Sequence, residues 1–170
     1  MDTDKALREH LLYVLGGGGA HVDFETVVRD FPLALINRKA EHIPYTPWHV
    51  MEHMRIAQWD ILMFSRDARH VSPPWPEGYW PAAATIADGA AWNASVESFR
   101  ADLKALEELV EDPSIDLFAP IAHGDGQTIL REALLVADHN AYHLGVLVTL
   151  KRILAGAEGD GRARPPSVNP

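Results

Sequence analysis

Two pairs of histidines in this chain are separated by one helical turn. His139 and His143 form one His-x-x-x-His pattern, and His49 and His53 form another. Residues four apart lie on the same face of an α-helix, so the two imidazoles of a pair can bind one metal ion together. The sequence contains no cysteine. Any strong metal site in it must therefore use imidazole and carboxylate groups.

The histidines that matter most fall among apolar residues of the helices predicted to carry them. In a helix predicted over residues 127–155, His139 and His143 lie on the apolar side, and Glu132 projects between them two turns earlier. In a helix predicted over residues 47–69, His53 lies beside the apolar stripe, with Asp60 two turns later. An unpaired buried polar group costs kilocalories, so these groups need partners. We favour a metal held by His53, His139 and His143 with one open position, as in catalytic sites.

The residues also allow other interpretations of the same histidines. His53 could be a core histidine hydrogen-bonded to a backbone carbonyl or to Asp60. His49 could be a fourth ligand that closes the site, although its place in the first helical turn favours solvent or the end of the bundle. The other five histidines are expected at helix surfaces or in loops: His10, His21, His42, His70 and His123.

Two carboxylates on the same stripes are the candidate catalytic residues. Glu132 or Asp60 could orient a ligand imidazole, or could accept a proton as a general base. The alternative is an ion pair between each carboxylate and an arginine such as Arg55 or Arg131.

The elements that position these groups are helical. Apolar residues recur at helical spacing over residues 3–15, 47–69, 86–111 and 127–155, and residues 23–30 could form a short helix. Thr46 followed by Pro47 is typical of a helix start, and Thr85-x-x-Asp88 predicts a cap for the third long helix. Strand patterns are nearly absent. We predict an all-α, antiparallel four-helix bundle over residues 1–155 and a flexible tail over residues 156–170.

A proline-rich loop over residues 72–81 carries three aromatic side chains, Trp75, Tyr79 and Trp80. They could fold over the end of the bundle and shape a pocket beside the metal. They could also anchor the loop or enter a dimer interface, and we favour simple packing of the loop.

Composition limits the partners. The 170 residues carry a formal net charge of −9, which argues against nucleic acid, since its binding proteins present basic surfaces. No apolar run reaches the roughly 18 residues of a membrane span, and the polar first residues do not resemble a signal peptide. We therefore expect a cytoplasmic protein that acts on a small molecule.

Two motifs resemble the DinB-like (DinB/YfiT) superfamily over about residues 3–155. They are Trp48-x-x-x-Glu52-His53 in the second long helix and Asp138-His139-Asn140-Ala141-Tyr142-His143-Leu144-Gly145 in the fourth. The resemblance implies a four-helix bundle that often pairs as a homodimer. It also implies a metal, often zinc, nickel or iron, which His53, His139 and His143 would hold. Where such proteins commonly have glutamine after His-x-Gly, this chain has Val146, which removes a polar group near the metal.

Members of that superfamily with known activity use the metal to activate a low-molecular-weight thiol. The resemblance therefore implies a metal-dependent thiol S-transferase. A metal at these histidines that bound water instead of a thiol would make the protein a hydrolase. Because the chain has no cysteine, any thiol must come from a cosubstrate. The alternative is a non-catalytic bundle with a structural metal or a ligand-binding or stress-related role.

Overall fold

The protein folds into helices joined by loops. A computed structural model describes residues 3–156, and this part of the chain contains no β-strand, only one isolated bridge between Pro120 and Thr128. The five α-helices are α1 (Thr3–Leu15), α2 (Phe24–Arg29), α3 (Pro47–Arg66), α4 (Gly89–Glu111) and α5 (Ile129–Gly156). Short 3-10 turns lie at Leu33–Leu35 and Glu77–Tyr79. The prediction of an all-α fold is confirmed.

Helix α3 lies at the centre of the packing, because it contacts both α4 and α5, while α1 packs on α4 and α5 as well. One buried cluster forms around Met54, Phe99 and Leu147, and a second around Leu62 and Leu106. The polar residues that matter for chemistry lie along the α3–α5 contact. Rigid apolar packing on both sides therefore determines how far apart the two helices hold them.

The start of α3 follows the prediction. Pro47 is the first helical residue, and the hydroxyl of Thr46 accepts a hydrogen bond from the backbone N–H of His49 at 3.2 Å. The imidazole Nδ1 of His49 in turn accepts the backbone N–H of Thr46 at 3.4 Å. His49 thus takes the place that glutamate or glutamine holds in a capping box.

Two predicted helix boundaries differ from the structure by three residues, and α5 begins at Ile129 rather than at residue 127. Helix α4 begins at Gly89 rather than at Ile86, because Asp88 is itself the N-cap and accepts the backbone N–H of Ala91 at 2.8 Å. Helix α3 ends at Arg66 rather than near residue 69. There the carboxylate of Asp67 accepts the backbone N–H of Arg69 at 2.9 Å, a local bond that competes with the helix.

The last helix continues through Gly156, where the predicted tail was to begin. The rest of that predicted tail, residues 157–170, lies outside the described residues. Of the helices in the described part of the chain, none combines the length and the apolar character that crossing a membrane requires.

Replacing Thr46 with alanine tests the contribution of the α3 cap to stability. Loss of the capping hydroxyl should lower the free energy of unfolding of the metal-free protein by about 1 kcal/mol. Urea unfolding measures the change. Thr149→Ala is the matched control, because this exposed hydroxyl only donates to the Gly145 carbonyl within α5. Its effect should stay within about 0.5 kcal/mol, and equal losses in the two variants would contradict the assigned cap.

Candidate metal centre

Three imidazoles meet between α3 and α5. The Nε2 atom of His53 lies 3.1 Å from Nε2 of His139 and 3.2 Å from Nε2 of His143. One nitrogen from each ring lies within 4.8 Å of the corresponding atom of the other two. His53 comes from α3, and His139 and His143 come from successive turns of α5. The structure thus brings together the three histidines that the sequence singled out as ligands.

The spacing of these nitrogens fits a shared divalent ion. Two imidazole nitrogens that each lie about 2.0–2.1 Å from a tetrahedral zinc ion are separated by roughly 3.3 Å. The two Nε2–Nε2 distances from His53, 3.1 and 3.2 Å, are close to this value. A set of nitrogen donors alone suits zinc, nickel and iron, so the donor set agrees with the expected metals without choosing among them.

The ring of His53 is held from two sides. Its Nδ1–H donates to the backbone carbonyl of Tyr79 at 2.8 Å, which leaves the lone pair of Nε2 directed at the other two histidines. The indole of Trp80 stacks on the imidazole with ring centroids 3.8 Å apart and planes only 4° from parallel. Burial lowers the pKa of His53, and the bond to the Tyr79 carbonyl opposes part of that effect.

His139 and His143 are held in the neutral form. Burial, with a further contribution from His53, lowers the pKa of His139 to about 4. Burial, with further contributions from His139 and His53, lowers the pKa of His143 to about 3. Metals bind the neutral imidazole, so near neutral pH all three rings are in the form that a ligand requires.

A cavity of about 420 Å³ opens beside the three histidines. Its walls include His53 and His139 as well as the two predicted catalytic carboxylates, Asp60 and Glu132. Small-molecule sites are typically concave, apolar over most of their walls and supplied with a few polar groups. The apolar and aromatic part of this wall consists of Ala57, Ile61, Phe64, Trp75, Tyr79 and Leu135.

The two carboxylates have different surroundings. Glu132 is 2% exposed, and Arg131 donates to it from the rim of the cavity, so the predicted arginine pairing is found at Glu132. Asp60 is buried too, but its partners are His70 and Tyr79. Arg55, the other arginine considered, binds Glu52 instead.

His49 does not join the centre. Its Nε2–H donates to the carbonyl of Thr85 at 3.1 Å, and its Nδ1 is engaged in the cap of α3. With both ring nitrogens in use, a four-histidine site is not formed. Of the two places expected for the His49 side chain, solvent and the end of the bundle, solvent is excluded, because the residue is only 3% exposed.

Three residues near the centre were assigned to surface or loop packing by the sequence. His70, expected at a helix surface or in a loop, lies in the loop after α3, where its side chain is only 7% exposed and its Nε2–H donates to Asp60 at 2.7 Å. Tyr79 and Trp80 of the proline-rich loop contact His53 directly. The aromatic residues of the loop were a signal that it packs against the end of the bundle. No spacing rule, however, connects residue 70 to residue 60 once the helix has ended.

Comparison with known proteins agrees with the geometry. A family model described as the DinB superfamily matches residues 20–147, well over half of the chain and a span that includes all three histidines. No curated protein matches the sequence, and no solved structure matches it either.

The lowered pKa values predict how the stability of the metal-free protein depends on pH. An unfolded histidine takes up a proton near pH 6.5, whereas folded His139 and His143 do so only near pH 4 and pH 3. Between these limits the unfolded state binds more protons, so the free energy of unfolding should fall as the pH falls from about 6.5 to about 4. Urea unfolding at several pH values measures the slope.

A His139→Ala variant should show a shallower slope over that range. His10→Ala is the control, because His10 is exposed on α1, and its slope should match that of the wild type. If removal of His139 leaves the slope unchanged, the buried neutral imidazole is not the cause of the pH dependence.

Proposed function

The chain belongs to the DinB superfamily, and on this basis we propose that it binds a divalent metal ion through His53, His139 and His143 and acts as a metal-dependent enzyme on a small molecule. The reaction we propose is transfer of a thiol group (thiol S-transferase type) or hydrolysis. The observation that carries the proposal is the convergence of three Nε2 atoms at the edge of a cavity.

Access to the cavity favours a catalytic metal over a structural one. Structural zinc sites are enclosed by four protein ligands, whereas catalytic sites keep a position for substrate or water. Here the cluster in the described residues has three members, and His53 and His139 line a cavity of about 420 Å³. The fourth candidate, His49, is engaged elsewhere.

A divalent metal at this centre would lower the pKa of a thiol or water molecule bound to it. The chain's own residues supply the remaining functions. Glu132 is the proposed general base, because it lines the same cavity as His53 and His139 and, among the described residues, its carboxylate bonds to Arg131 alone. Asp60, the other candidate, already accepts hydrogen bonds from His70 and Tyr79.

The cosubstrate and the surroundings are part of the proposal. With no cysteine in the sequence, a reacting thiol must enter as a separate low-molecular-weight molecule. We propose zinc, nickel or iron as the metal, an antiparallel arrangement of the four long helices, the cytoplasm as the location and a homodimer as the assembly. Exposed apolar side chains along α5 support the pairing: Leu134, Leu135, Tyr142 and Ile153.

Removal of single histidines tests the metal site. The wild-type protein, dialysed against zinc and then against metal-free buffer, should retain about one ion per chain in elemental analysis. His139→Ala and His143→Ala should each retain little, because two imidazoles bind far more weakly than three. His10→Ala, on the exposed side of α1, should retain the wild-type content.

Unchanged metal content in both α5 variants would overturn the assignment of the ligands.

A second measurement, thermal unfolding with and without a chelator, distinguishes a catalytic from a structural metal. Because a packed core remains without the ion, chelation should change the melting temperature only modestly. Collapse of the fold on chelation would favour the structural alternative.

Replacing Glu132 with glutamine tests its role as a base. Once a panel of thiols, electrophiles and esters has identified a turnover reaction, Glu132→Gln should lower kcat about 100-fold or more while the metal content stays at the wild-type value. Glu108→Gln, on the exposed side of α4, is the matched control and should keep wild-type kcat. If Glu132→Gln also keeps wild-type kcat, Glu132 does not transfer the proton.

A further inference from the structure

Two polar groups of Tyr79, the backbone carbonyl and the phenol hydroxyl, connect the proline-rich loop to α3. Its backbone carbonyl accepts the Nδ1–H of His53 at 2.8 Å. Its phenol hydroxyl donates to Oδ2 of Asp60 at 2.5 Å. His53 and Asp60 lie seven residues apart on α3, so the loop residue is bound to the same helix at two points.

The anchor at Asp60 is itself held in place. The Oδ1 atom of Asp60 accepts the Nε2–H of His70 at 2.7 Å, and the side chains of both residues are more than nine-tenths buried. The indole of Trp59 packs edge-on against the ring of His70, with centroids 5.1 Å apart. The two carboxylate oxygens of Asp60 therefore accept one hydrogen bond each, Oδ1 from His70 and Oδ2 from Tyr79.

The phenol of Tyr79 donates to a carboxylate that is itself buried. Burial, with the nearby carboxylate of Asp60, raises the pKa of Tyr79 to about 12. The bond to the carboxylate is charge-assisted, a class that is shorter and stronger than neutral hydrogen bonds. It is thus suited to hold the loop against α3.

The hydrogen bond between Tyr79 and Asp60 is connected to the candidate metal centre through the main chain of Tyr79. A carbonyl at Nδ1 selects the tautomer of His53 that carries its proton on Nδ1 and leaves Nε2 free to bind. Residue 80 continues the contact, since the indole of Trp80 stacks on the same ring. The acceptor for Nδ1 comes from the loop rather than from α3, so the position of residue 79 contributes directly to the orientation of the ring.

We propose that Asp60 and Tyr79 are positioning residues, whose hydrogen bond holds the Tyr79 carbonyl at Nδ1 of His53 and so directs Nε2 of His53 toward His139 and His143. The effect on metal affinity rests on the proposed function, in which His53 is a ligand. The effect on the tautomer does not, because the bond from Nδ1 of His53 to the Tyr79 carbonyl involves no metal ion. Asp60 in this role acts through Tyr79 rather than as a base.

The tautomer is measured on the full-length, metal-free protein by long-range ¹H–¹⁵N correlation spectra of the histidine side chains at pH 7.5. Wild-type His53 should show its proton on Nδ1. Tyr79→Phe, which keeps the ring and the carbonyl but removes the hydroxyl, should show a mixture of the two tautomers. Asp60→Asn should change in the same direction. Tyr13→Phe, a phenol on α1 that is 59% exposed, should match the wild type.

Metal binding is measured on the same four proteins. Partners of a ligating histidine typically contribute 10- to 100-fold to metal affinity. We therefore expect Tyr79→Phe to bind Zn²⁺ about 10-fold more weakly in competition with a chelator and to alter the visible spectrum of bound Co²⁺. Tyr13→Phe should keep both properties. Thermal unfolding of the metal-free variants verifies that each one is folded.

The outcomes separate the two proposals. Wild-type tautomer and wild-type zinc affinity in folded Tyr79→Phe would overturn the positioning role. A large effect of Asp60→Asn with none of Tyr79→Phe would overturn it as well, since Asp60 would then act by another route. A wild-type protein that binds neither Zn²⁺ nor Co²⁺ would overturn the proposed function, and the tautomer comparison would still decide the positioning role.

Discussion

The desolvation of three uncharged imidazoles between α3 and α5, one buried (His53) and two half-buried (His139 and His143), is the constraint on which the rest of the site depends. Desolvation holds the pKa of His139 near 4 and that of His143 near 3, so protonation at this point would put charge into a poorly solvated space. Neutral rings whose nitrogens face one another at 3.1 and 3.2 Å cannot all donate to one another. Without a metal ion, some of these nitrogens would lack a partner, which costs free energy; a shared cation would satisfy all three.

The surrounding structure supplies what such a centre needs. Apolar clusters on both sides of α3 hold the two helices at a set distance. The cap formed by Thr46 and His49 fixes where α3 begins, and with it the rotational position of His53 on the helix. The loop after α3 then supplies the acceptor for Nδ1 of that ring. Each contribution comes from a different level of structure, and the site requires all of them.

The sequence predicts those features whose cause lies within one helix, and it misses those that depend on contacts between distant parts of the chain. Helical periodicity was enough to place His139 and His143 on one inward, half-buried face of α5, and the Thr46–Pro47 pair was enough to locate the start of α3. The use of both nitrogens of His49 depends on the carbonyl of Thr85, 36 residues away. The burial of His70 and the contact of Tyr79 with His53 likewise depend on how a proline-rich loop returns to α3, and no periodic signal encodes that path.

The contrast between local and long-range causes also explains why the three histidines differ in how they are oriented. His139 and His143 share one helix, so their separation follows from helical geometry alone. The Nδ1 atom of His143 is buried and has no hydrogen-bond partner among the described residues. His53 comes from another helix and is the ring with both a hydrogen-bonded nitrogen and a stacked indole. Because α5 already fixes two nitrogens, the geometry of the candidate metal centre depends on the third, and its orientation comes from a loop carbonyl outside both helices.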